Sequence, residues 1–237
     1  MSIFRKKKID FSNLPKHVAF IMDGNGRWAK LRGKVRTYGH KQGVSAIESV
    51  IKHAKKIGIE IVSFYAFSTE NWKRPKEEVD YIFGLLRDYL KEHKDSFHEN
   101  NIKVKIVGDI TKLPEDLQLS VTEVESNTKS CDGLLVNVCL NYGSRVEIIR
   151  AINNIIKDGV KEVNDEIFSS YLQTEGIPDP DLVVRTSGEC RLSNFMLYQC
   201  AYSELYFPKV YWPDFKEREF EKAIMVYQSR NRRFGKI

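Results

Sequence analysis

The sequence lacks a long apolar run. Its two longest uncharged stretches, 133–144 and 192–203, have 12 residues each, and both contain polar side chains. A helix that crosses a bilayer needs about 18 or more apolar residues, so we predict no membrane-spanning segment. No apolar stretch follows the basic residues 5–8 either, and the N-terminus is therefore not predicted to be a secretory signal peptide.

Cysteine, glycine and proline are also scarce. The four cysteines form no C-x-x-C pair, so we expect reduced, mostly buried thiols and a cytoplasmic location. With only 14 glycines and 7 prolines, the chain has no low-complexity segment, and it shows no internal repeat or linker. We interpret the 237 residues as a loose tail over residues 1–12 followed by one domain over residues 13–237.

Positive charge is concentrated in blocks. The chain has 38 Lys and Arg against 32 Asp and Glu, a net charge of +6. Residues 5–8 are all basic, six bases and no acid lie between Asp23 and Glu48, and five bases and no acid follow Glu221. Such blocks suit an anionic partner, which leaves open nucleic acid, an anionic membrane surface or a phosphorylated small molecule.

Runs of β-branched and aromatic residues alternate with helical periods. The candidate strands are His17–Met22, Glu60–Phe67, Ile102–Val107, Leu134–Leu140, Leu182–Arg185 and a weaker one at Leu205–Phe207. Apolar residues at helical spacing predict helices over about 44–57, from Pro75 onward, and over about 114–129, 146–156 and 220–227. Single helices between strands predict an α/β fold, with a mostly parallel six-stranded sheet flanked by helices.

The first segment with chemical potential is 23–28 (DGNGRW), which directly follows a predicted strand. In open α/β sheets ligands bind at the carboxyl ends of the strands. The glycines let backbone N–H groups face an anion, Arg27 can bind phosphate oxygens, and Asp23 can hold Mg²⁺ together with phosphate. The alternative is an ordinary turn whose aspartate caps a helix.

Two further segments also follow predicted strands. Segment 67–75 (FSTENWKRP) contains an indole in a polar loop, which indicates a partner or a mobile lid, although an ordinary capped loop is the alternative. Segment 185–194 (RTSGECRLSN) places two arginines around a Ser/Gly turn, which favours a second anion site. Glu204 is a candidate second carboxylate for a metal or a surface residue, and His40 a candidate catalyst or a core histidine.

Six blocks occur in order along the chain. They are 17–30 (HVAFIMDGNGRWAK), 38–43 (YGHKQG), 65–75 (YAFSTENWKRP), 141–143 (NYG), 181–199 (DLVVRTSGECRLSNFMLYQ) and 201–207 (AYSELYF). Together they resemble the cis-prenyltransferase (isoprenyl transferase) family, from about residue 14 to the C-terminal RRFG. The D-D-x-x-D motif of the trans-type synthases is absent.

The resemblance implies an enzyme and its partners. Such an enzyme adds isopentenyl diphosphate units with cis geometry to an allylic primer, farnesyl diphosphate. The expected product is a long-chain polyprenyl diphosphate, undecaprenyl diphosphate, for synthesis of the cell-wall lipid carrier. The resemblance also implies Mg²⁺ as cofactor and a homodimer as the working unit. A hydrophobic product tunnel is expected between the strand Leu134–Leu140 and the helix Tyr81–Leu90.

The resemblance also implies roles for individual residues. Asp23 is the expected catalytic carboxylate and Mg²⁺ ligand, with Glu204 as the second metal ligand. Asn71 and Ser68 are expected to handle the C2 proton, with the departing diphosphate as an alternative base. The expected primer pocket comprises Gly24, Asn25, Gly26, Arg27, Trp28, Arg36, His40 and Arg74. The remaining expected substrate-binding residues are Ser68, Thr69, Glu70, Trp72, Arg185, Arg191, Leu192 and Ser193, with Arg233 and Gly235 reaching the partner subunit's substrate.

Two features qualify these expectations. Cys190 stands where many relatives carry a histidine, so metal handling can differ here. In the basic block after Asp23 we expect Arg27 and Arg36 to touch phosphate, and Lys30, Arg32 and Lys34 to be solvated.

Two other classes of protein share some of these features. A catalytically weak subunit or polyprenyl-phosphate carrier of the same fold is one alternative, but the chain retains Asp23, Asn71 and Arg191. A nucleic-acid-binding module rests on the basic blocks alone, because RNP-like and helix-turn-helix patterns are absent. We therefore expect no nucleic-acid partner. Membrane contact is expected to be at most peripheral, through residues 5–8, whose alternative role is a solubilising tail.

Overall fold

In a computed structural model that describes residues 9–230, six strands form one sheet in which all neighbouring strands are parallel. The strand order is β3-β4-β2-β1-β5-β6. The strands are β1 His17–Ile21, β2 Ile61–Ser68, β3 Ile102–Val107, β4 Leu134–Tyr142, β5 Leu182–Arg185 and β6 Glu204–Tyr206. The α/β class and the six-stranded sheet predicted from the sequence are confirmed, and the sheet is parallel throughout.

Helices connect the strands and cover the sheet. They are α1 Asn25–Lys30, α2 Arg36–Ile57, α3 Lys76–Glu99, α4 Glu115–Asn127, α5 Ser144–Lys157, α6 Asp165–Ser170 and α7 Glu217–Gln228. Three 3-10 turns lie at Thr69–Lys73, Ile110–Lys112 and Trp212–Asp214. Within residues 9–230 we found no helix with the length and apolar character that crossing a bilayer requires.

Helix α2 begins at Arg36 rather than near Val44, where its apolar spacing begins. Two glycines in this first part look like helix breakers, but both are points of close packing. A Cβ on Gly39 would lie 2.0 Å from the Asn25 carbonyl oxygen, and one on Gly43 would lie 2.7 Å from Asn25 Oδ1. The early start places the polar first turns of α2 directly against α1.

The central strand β1 is buried on both faces, as a parallel sheet between helices requires. On one face Phe20 joins the main core, where its ring stacks on Phe64 at 5.4 Å and meets Trp212 and Phe220 edge-on or tilted. The other face belongs to a second core that includes Ile21. This packing delivers the chain after β1 to the carboxyl edge of the sheet.

The segment before β1 belongs to the fold. Ile9 packs against the main core, the Asp10 backbone N–H donates to Gln228 Oε1 at 3.1 Å, and Gln228 Nε2 donates to the Asp10 carbonyl at 2.6 Å. Ile9 and Asp10, within the expected loose tail over residues 1–12, are therefore held against the domain, and the tail otherwise stays a prediction. Residues 1–8 lie outside the part of the chain that the structure describes.

Buried polar side chains connect strands β1, β2 and β4 inside the sheet. His17 Nε2 lies 2.6 Å from Ser63 Oγ, and Nδ1 lies 2.7 Å from the Pro178 carbonyl. Asn137 Nδ2 also donates to Ser63 Oγ, at 3.0 Å. Burial lowers the pKa of His17 to about 4, although the Pro178 carbonyl and the Asp181 charge act in the opposite direction. His17 is thus neutral in the folded protein at neutral pH.

Acidification should weaken the fold through His17. Between its folded pKa of about 4 and its unfolded pKa of about 6.5, the unfolded chain binds one more proton, so stability falls as the pH is lowered through this window. We expect His17 to account for a loss of about 2 kcal/mol of unfolding free energy between pH 7 and pH 5, measured by urea denaturation. His17→Gln should lose less over the same interval, and an equal loss would contradict the assignment.

Candidate active site

Two polar pockets adjoin at the carboxyl edge of β1, β2 and β5. The first pocket has a volume of about 630 Å³, and the second, against α1 and the start of α2, of about 550 Å³. Met22, Asp23, Asn25, His40 and Arg74 line both. The first pocket adds the polar residues Ser68, Glu70, Asn71, Arg185, Arg191, Ser193 and Asn194 and the residues Ile21, Tyr65, Ala66 and Ile82. The second adds Gly24, Gly26, Arg27, Lys30, Lys34 and Arg36.

The turn after β1 is held by its backbone. Gly24 has φ 105°, a left-handed conformation, and a Cβ there would lie 2.5 Å from the Tyr211 ring, so both the backbone and the space require glycine. The Asp23 carbonyl accepts hydrogen bonds from Thr186 Oγ1 at 2.6 Å and from the Trp212 N–H at 3.1 Å. These contacts fix the position of Asp23 between the two pockets.

The Asp23 carboxylate lies between two guanidinium groups. Oδ1 accepts from Arg27 Nη2 and Oδ2 from Arg185 Nη2, both at 2.9 Å. Burial raises the pKa of Asp23, but the hydrogen bonds and charges of Arg185 and Arg27 outweigh it and hold this pKa below its usual range. Asp23 is therefore ionised at neutral pH, as a metal ligand must be.

Glu189 extends this arrangement of alternating charges. Its Oε1 accepts from Arg27 Nη1 at 2.8 Å, and its Oε2 accepts from Arg191 Nη1 at 2.6 Å. Arg185 is almost fully buried and donates through Nη1 to Ser193 Oγ at 2.7 Å. The ends of β1 and β5 thus share one chain of charges that links both pockets.

A second carboxylate, that of Glu78, contacts three basic residues of the second pocket. Glu78 Oε1 lies 3.0 Å from Arg36 Nε, 3.2 Å from His40 Nε2 and 2.9 Å from Arg74 Nη1. Burial raises the pKa of Glu78, but the two arginines outweigh it and lower this pKa. Burial also lowers the pKa of His40 despite its hydrogen bond to Glu78. The three donors converge where an anion can be bound.

Asn71 is held in place by a reciprocal cap. The Ser68 N–H donates to Asn71 Oδ1 at 3.1 Å, while the Ser68 side chain accepts from the Asn71 N–H. Both residues line the first pocket. The neighbouring Trp72 is 41% exposed, and its Nε1 donates to Asn141 Oδ1 at 2.8 Å. The indole is thus anchored at its polar end while one face reaches solvent.

An apolar cavity of about 100 Å³ continues from the polar pockets. Ala66 and Ile82 line both this cavity and the first pocket. Its apolar lining also includes Val44 and Ile47 of α2, Leu85, Leu86 and Tyr89 of α3, and Trp212, whereas Met22, Asn25 and His40 are shared with both polar pockets. The helix expected to line a tunnel is present here, but the strand Leu134–Leu140 contributes no lining residue and α2 forms the opposite wall.

Several expected substrate-binding residues lie outside the two pockets. Trp28 is buried beneath them, stacked on Tyr38 with 5.9 Å between ring centroids. Thr69 and Trp72 pack against the end of β4, and Leu192 lines a shallow depression that adjoins the first pocket through Glu70, Ser193 and Asn194. Substrate contact by Trp28, Thr69, Trp72 and Leu192 therefore stays a prediction. Arg233 and Gly235 lie outside the described residues.

Glu204 requires a correction. It is the first residue of β6 and pairs with Leu182, whereas Arg185 pairs with Ile21 at the other end of the strands. That offset is roughly 10 Å at the usual strand rise, and Asp23 lies further still along the chain. Glu204 instead accepts from Arg230 Nη1 at 2.5 Å. Within one subunit Glu204 and Asp23 therefore cannot bind one ion.

Other site residues were missed in the sequence. Lys30 and Lys34, expected to be solvated, are exposed and also line the second pocket. Glu189 pairs with both Arg27 and Arg191, and Asn194 lines the first pocket. The only available signal was that Glu189 and Asn194 flank the expected Arg191 and Ser193.

The cysteines differ in accessibility. Cys190 is exposed beside Arg191, and its Sγ lies 3.6 Å from the Gly188 carbonyl. The other three, Cys131, Cys139 and Cys200, are buried, and all four are free thiols. The expectation of reduced thiols agrees with this arrangement, and three of the four are buried as expected.

Comparison with known sequences identifies the family of the chain. A family model described as "Putative undecaprenyl diphosphate synthase" matches residues 21–235. An isoprenyl transferase of Clostridium tetani is 48% identical over 238 residues, which cover 98% of this chain and 93% of that protein. An isoprenyl transferase of Fusobacterium nucleatum is 48% identical over 225 residues, which cover 95% and 97%.

Solved structures agree. Lavandulyl diphosphate synthase from Lavandula x intermedia, in complex with dimethylallyl diphosphate, matches with a TM-score of 0.90 and 33% identity, covering 94% of this chain and 99% of that one. An undecaprenyl diphosphate synthase from Campylobacter jejuni, described as probable, matches with a TM-score of 0.81 and 39% identity, covering 94% and 100%.

The fold and the site together define a prenyltransferase enzyme. The chain belongs to the undecaprenyl diphosphate synthase family, which confirms the resemblance seen in the sequence. Membership supports cis-prenyl chain elongation, with isoprenyl diphosphates as the substrate class.

Proposed function

We propose that this enzyme adds isopentenyl diphosphate units, with Mg²⁺, to farnesyl diphosphate and releases undecaprenyl diphosphate for the cell-wall lipid carrier. The observation that carries the proposal is the pair of adjoining cationic pockets that meet at Asp23. A condensation of two diphosphates requires two anion sites side by side, because both substrates must be held and oriented at once. The apolar cavity that continues from them suits a growing hydrocarbon chain.

The primer's diphosphate is assigned to the second pocket. Arg27, Arg36 and Arg74 surround it together with His40 and the backbone of the Gly24 turn. As the allylic C1–O bond breaks, negative charge develops on the leaving diphosphate. The guanidinium donors then stabilise the transition state more than the ground state.

The donor set around Asp23 fits Mg²⁺. Mg²⁺ is bound in such sites by one or two carboxylates, with substrate phosphates and water completing the shell. Asp23 is ionised and only partly buried, at the junction of both pockets. The described residues contain no cluster of three or more histidine, cysteine or acidic side chains that could hold a metal alone. Asp23 would hold the ion together with phosphate oxygens of the substrate, and the bound ion would supply positive charge beside the leaving group.

Isopentenyl diphosphate is assigned to the first pocket. Arg191 and Ser193 would bind its diphosphate, with the buried Arg185 holding the Ser193 hydroxyl in place. The new bond joins C4 of this substrate to C1 of the primer, and a proton then leaves C2. Asn71 and Ser68 lie in the same pocket and are assigned to orient that step, with the released diphosphate as an alternative acceptor of the proton.

The homodimer is proposed from helix α5. Val146, Ile149, Ile152 and Ile156 follow a helical period, yet they are 43 to 69% exposed in the single chain. A stripe of this kind on a helix marks a protein interface, and a second copy of the chain is the proposed occupant. Cytoplasmic location and peripheral membrane contact stay predictions, the latter because residues 5–8 lie outside the described part.

Turnover should depend on Asp23. Wild-type protein should incorporate radiolabelled isopentenyl diphosphate into farnesyl-primed products with Mg²⁺, and Asp23→Ala should lower the rate by about 100- to 1,000-fold. The loss follows because the variant removes the metal carboxylate while the core stays intact. Asp95→Ala, an exposed aspartate on α3, serves as the matched control. Near-normal turnover in Asp23→Ala would refute this role, and no incorporation by wild type would refute the proposed function.

Product length should depend on Ala66. This residue lines both the first pocket and the apolar cavity, so Ala66→Leu narrows the passage for the growing chain. We expect the product distribution to shift to shorter chains, as resolved by reversed-phase chromatography. Ala201→Leu, at an exposed alanine, should leave the distribution unchanged. Because one structural relative is named for another product, lavandulyl diphosphate, the wild-type product must be sized in the same experiment.

Dimer formation should depend on the α5 stripe. Ile149→Glu places a charge in the middle of the proposed interface, where burying it unpaired is costly. The mass measured by light scattering after gel filtration should fall from that of a dimer to that of a monomer. Leu119→Glu is the control, because Leu119 is 65% exposed on α4. A dimer that survives Ile149→Glu at micromolar concentration would place the interface elsewhere.

A further inference from the structure

The turn at the end of β4 holds the segment that carries Asn71. This turn, residues 141–145, begins with the N-Y-G motif noted in the sequence. Asn141 has a left-handed φ of 48°, accepts from Trp72 Nε1 and donates through Nδ2 to the Asp109 carbonyl at 2.7 Å. The Trp72 indole, which lies in the same 3-10 turn as Asn71, is thereby fixed to the sheet.

Asn194 makes a second connection to the same segment. Its Nδ2 donates to Glu70 Oε1 at 2.9 Å, while its Oδ1 accepts from the Arg145 N–H at 2.9 Å and its carbonyl accepts from the Ser144 N–H at 2.9 Å. Asn194 has a left-handed φ of 66°, a conformation that asparagine tolerates better than most residues. One side chain therefore joins three parts of the chain.

Gly143 makes this junction possible. A Cβ at this position would lie 2.5 Å from Thr69 Oγ1 and 2.8 Å from Asn194 Nδ2. The turn therefore lets the 69–73 segment and the 187–194 loop approach it from two sides. The close approach gives a physical reason for glycine in the motif, although its φ is an ordinary extended one.

We propose that Asn194 is a positioning residue that ties the loop carrying Arg191 and Ser193 to the segment carrying Asn71. The link is the hydrogen bond to Glu70, and the turn at 141–145 is the common anchor. The diphosphate-binding side of the first pocket and the residue assigned to the proton step then move as one unit. This inference rests on the proposed function, since it concerns the same pocket.

The test exchanges donor and acceptor across the Asn194–Glu70 contact. Asn194→Asp preserves the side-chain shape, tolerates the left-handed backbone and keeps an acceptor for the Arg145 N–H, but it sets two carboxylates face to face. Glu70→Gln restores a donor opposite Asp at position 194. The four proteins, wild type, both single variants and the double variant, form a double-mutant cycle in which the effect of Asn194→Asp is compared between the two backgrounds.

We expect Asn194→Asp to lower kcat by about 10- to 100-fold when Glu70 is present and by less than about 3-fold when Gln replaces it. A rise in KM without a fall in kcat would overturn the proposal. So would an equal fall in kcat in both backgrounds. The melting temperature of Asn194→Asp should stay near that of the control variant Asn101→Asp. A purely structural role of Asn194 would instead lower the melting temperature of Asn194→Asp.

Asn101→Asp is the matched control. Asn101 also has a left-handed φ, of 50°, donates to a carboxylate, Asp132 Oδ1, at 2.9 Å and accepts a backbone N–H at 3.1 Å. It precedes β3, at the amino end of the sheet. The same substitution there repeats the chemical change away from the pocket, and kcat should be unchanged.

A readout without turnover separates this inference from the proposed function. Trp72 is 41% exposed, whereas Trp28 and Trp212 are 8% and 1% exposed, so acrylamide quenching of tryptophan fluorescence reports mainly on the Trp72 segment. Quenching should increase in Asn194→Asp and return toward the Glu70→Gln level in the double variant. Unchanged quenching would overturn the proposed connection between Asn194 and the segment that carries Asn71. If wild type incorporates no isopentenyl diphosphate, the proposed function fails while quenching still tests the tie.

Discussion

The site depends on one carboxylate placed between two guanidinium groups. Asp23 receives Arg27 from α1 on one oxygen and Arg185 from β5 on the other, so it joins the first short helix to the neighbouring strand. Arg27 and Arg185 each lie 2.9 Å from an oxygen of this carboxylate. Without the shared negative charge, their two positive charges would repel each other. The left-handed Gly24 and the two hydrogen bonds to the Asp23 carbonyl therefore serve an electrostatic purpose. They hold the negative charge where the positive charges converge.

Glu78 and Glu189 extend the same principle outward. Each pairs with more than one arginine that lines a pocket. Carboxylate oxygens stand where phosphate oxygens of a ligand would also satisfy the guanidinium groups. Arg27 and Arg36, in the basic block after Asp23, are thus paired with specific acids from other parts of the chain. The net charge of the protein understates how strongly its pocket is organised for anions.

Local sequence predicted the strands well, because short β-branched runs between segments of helical period are compatible with few secondary structures other than a strand. It failed at the start of α2, where Gly39 and Gly43 look like breakers but serve close packing. The predicted diphosphate residues mostly converge, because each follows a strand that ends at one edge. Glu204 does not, since it begins β6 whereas the other residues follow strands. The predicted strand Leu205–Phe207 already placed it at that end, but its expected metal role came from the family resemblance alone. The apolar face of α5 was also visible as a period, but a period does not say whether the same chain covers it.

The accessibility of the four cysteines has a practical consequence. Cys190 is exposed next to Arg191, and the other three are buried. A maleimide at low excess therefore modifies one position in each chain without engineered cysteines. A fluorophore or spin label attached there would sit at the rim of the first pocket and report on the movement of the loop around it. The native chain thus already carries the attachment point for spectroscopy of its own catalytic cycle.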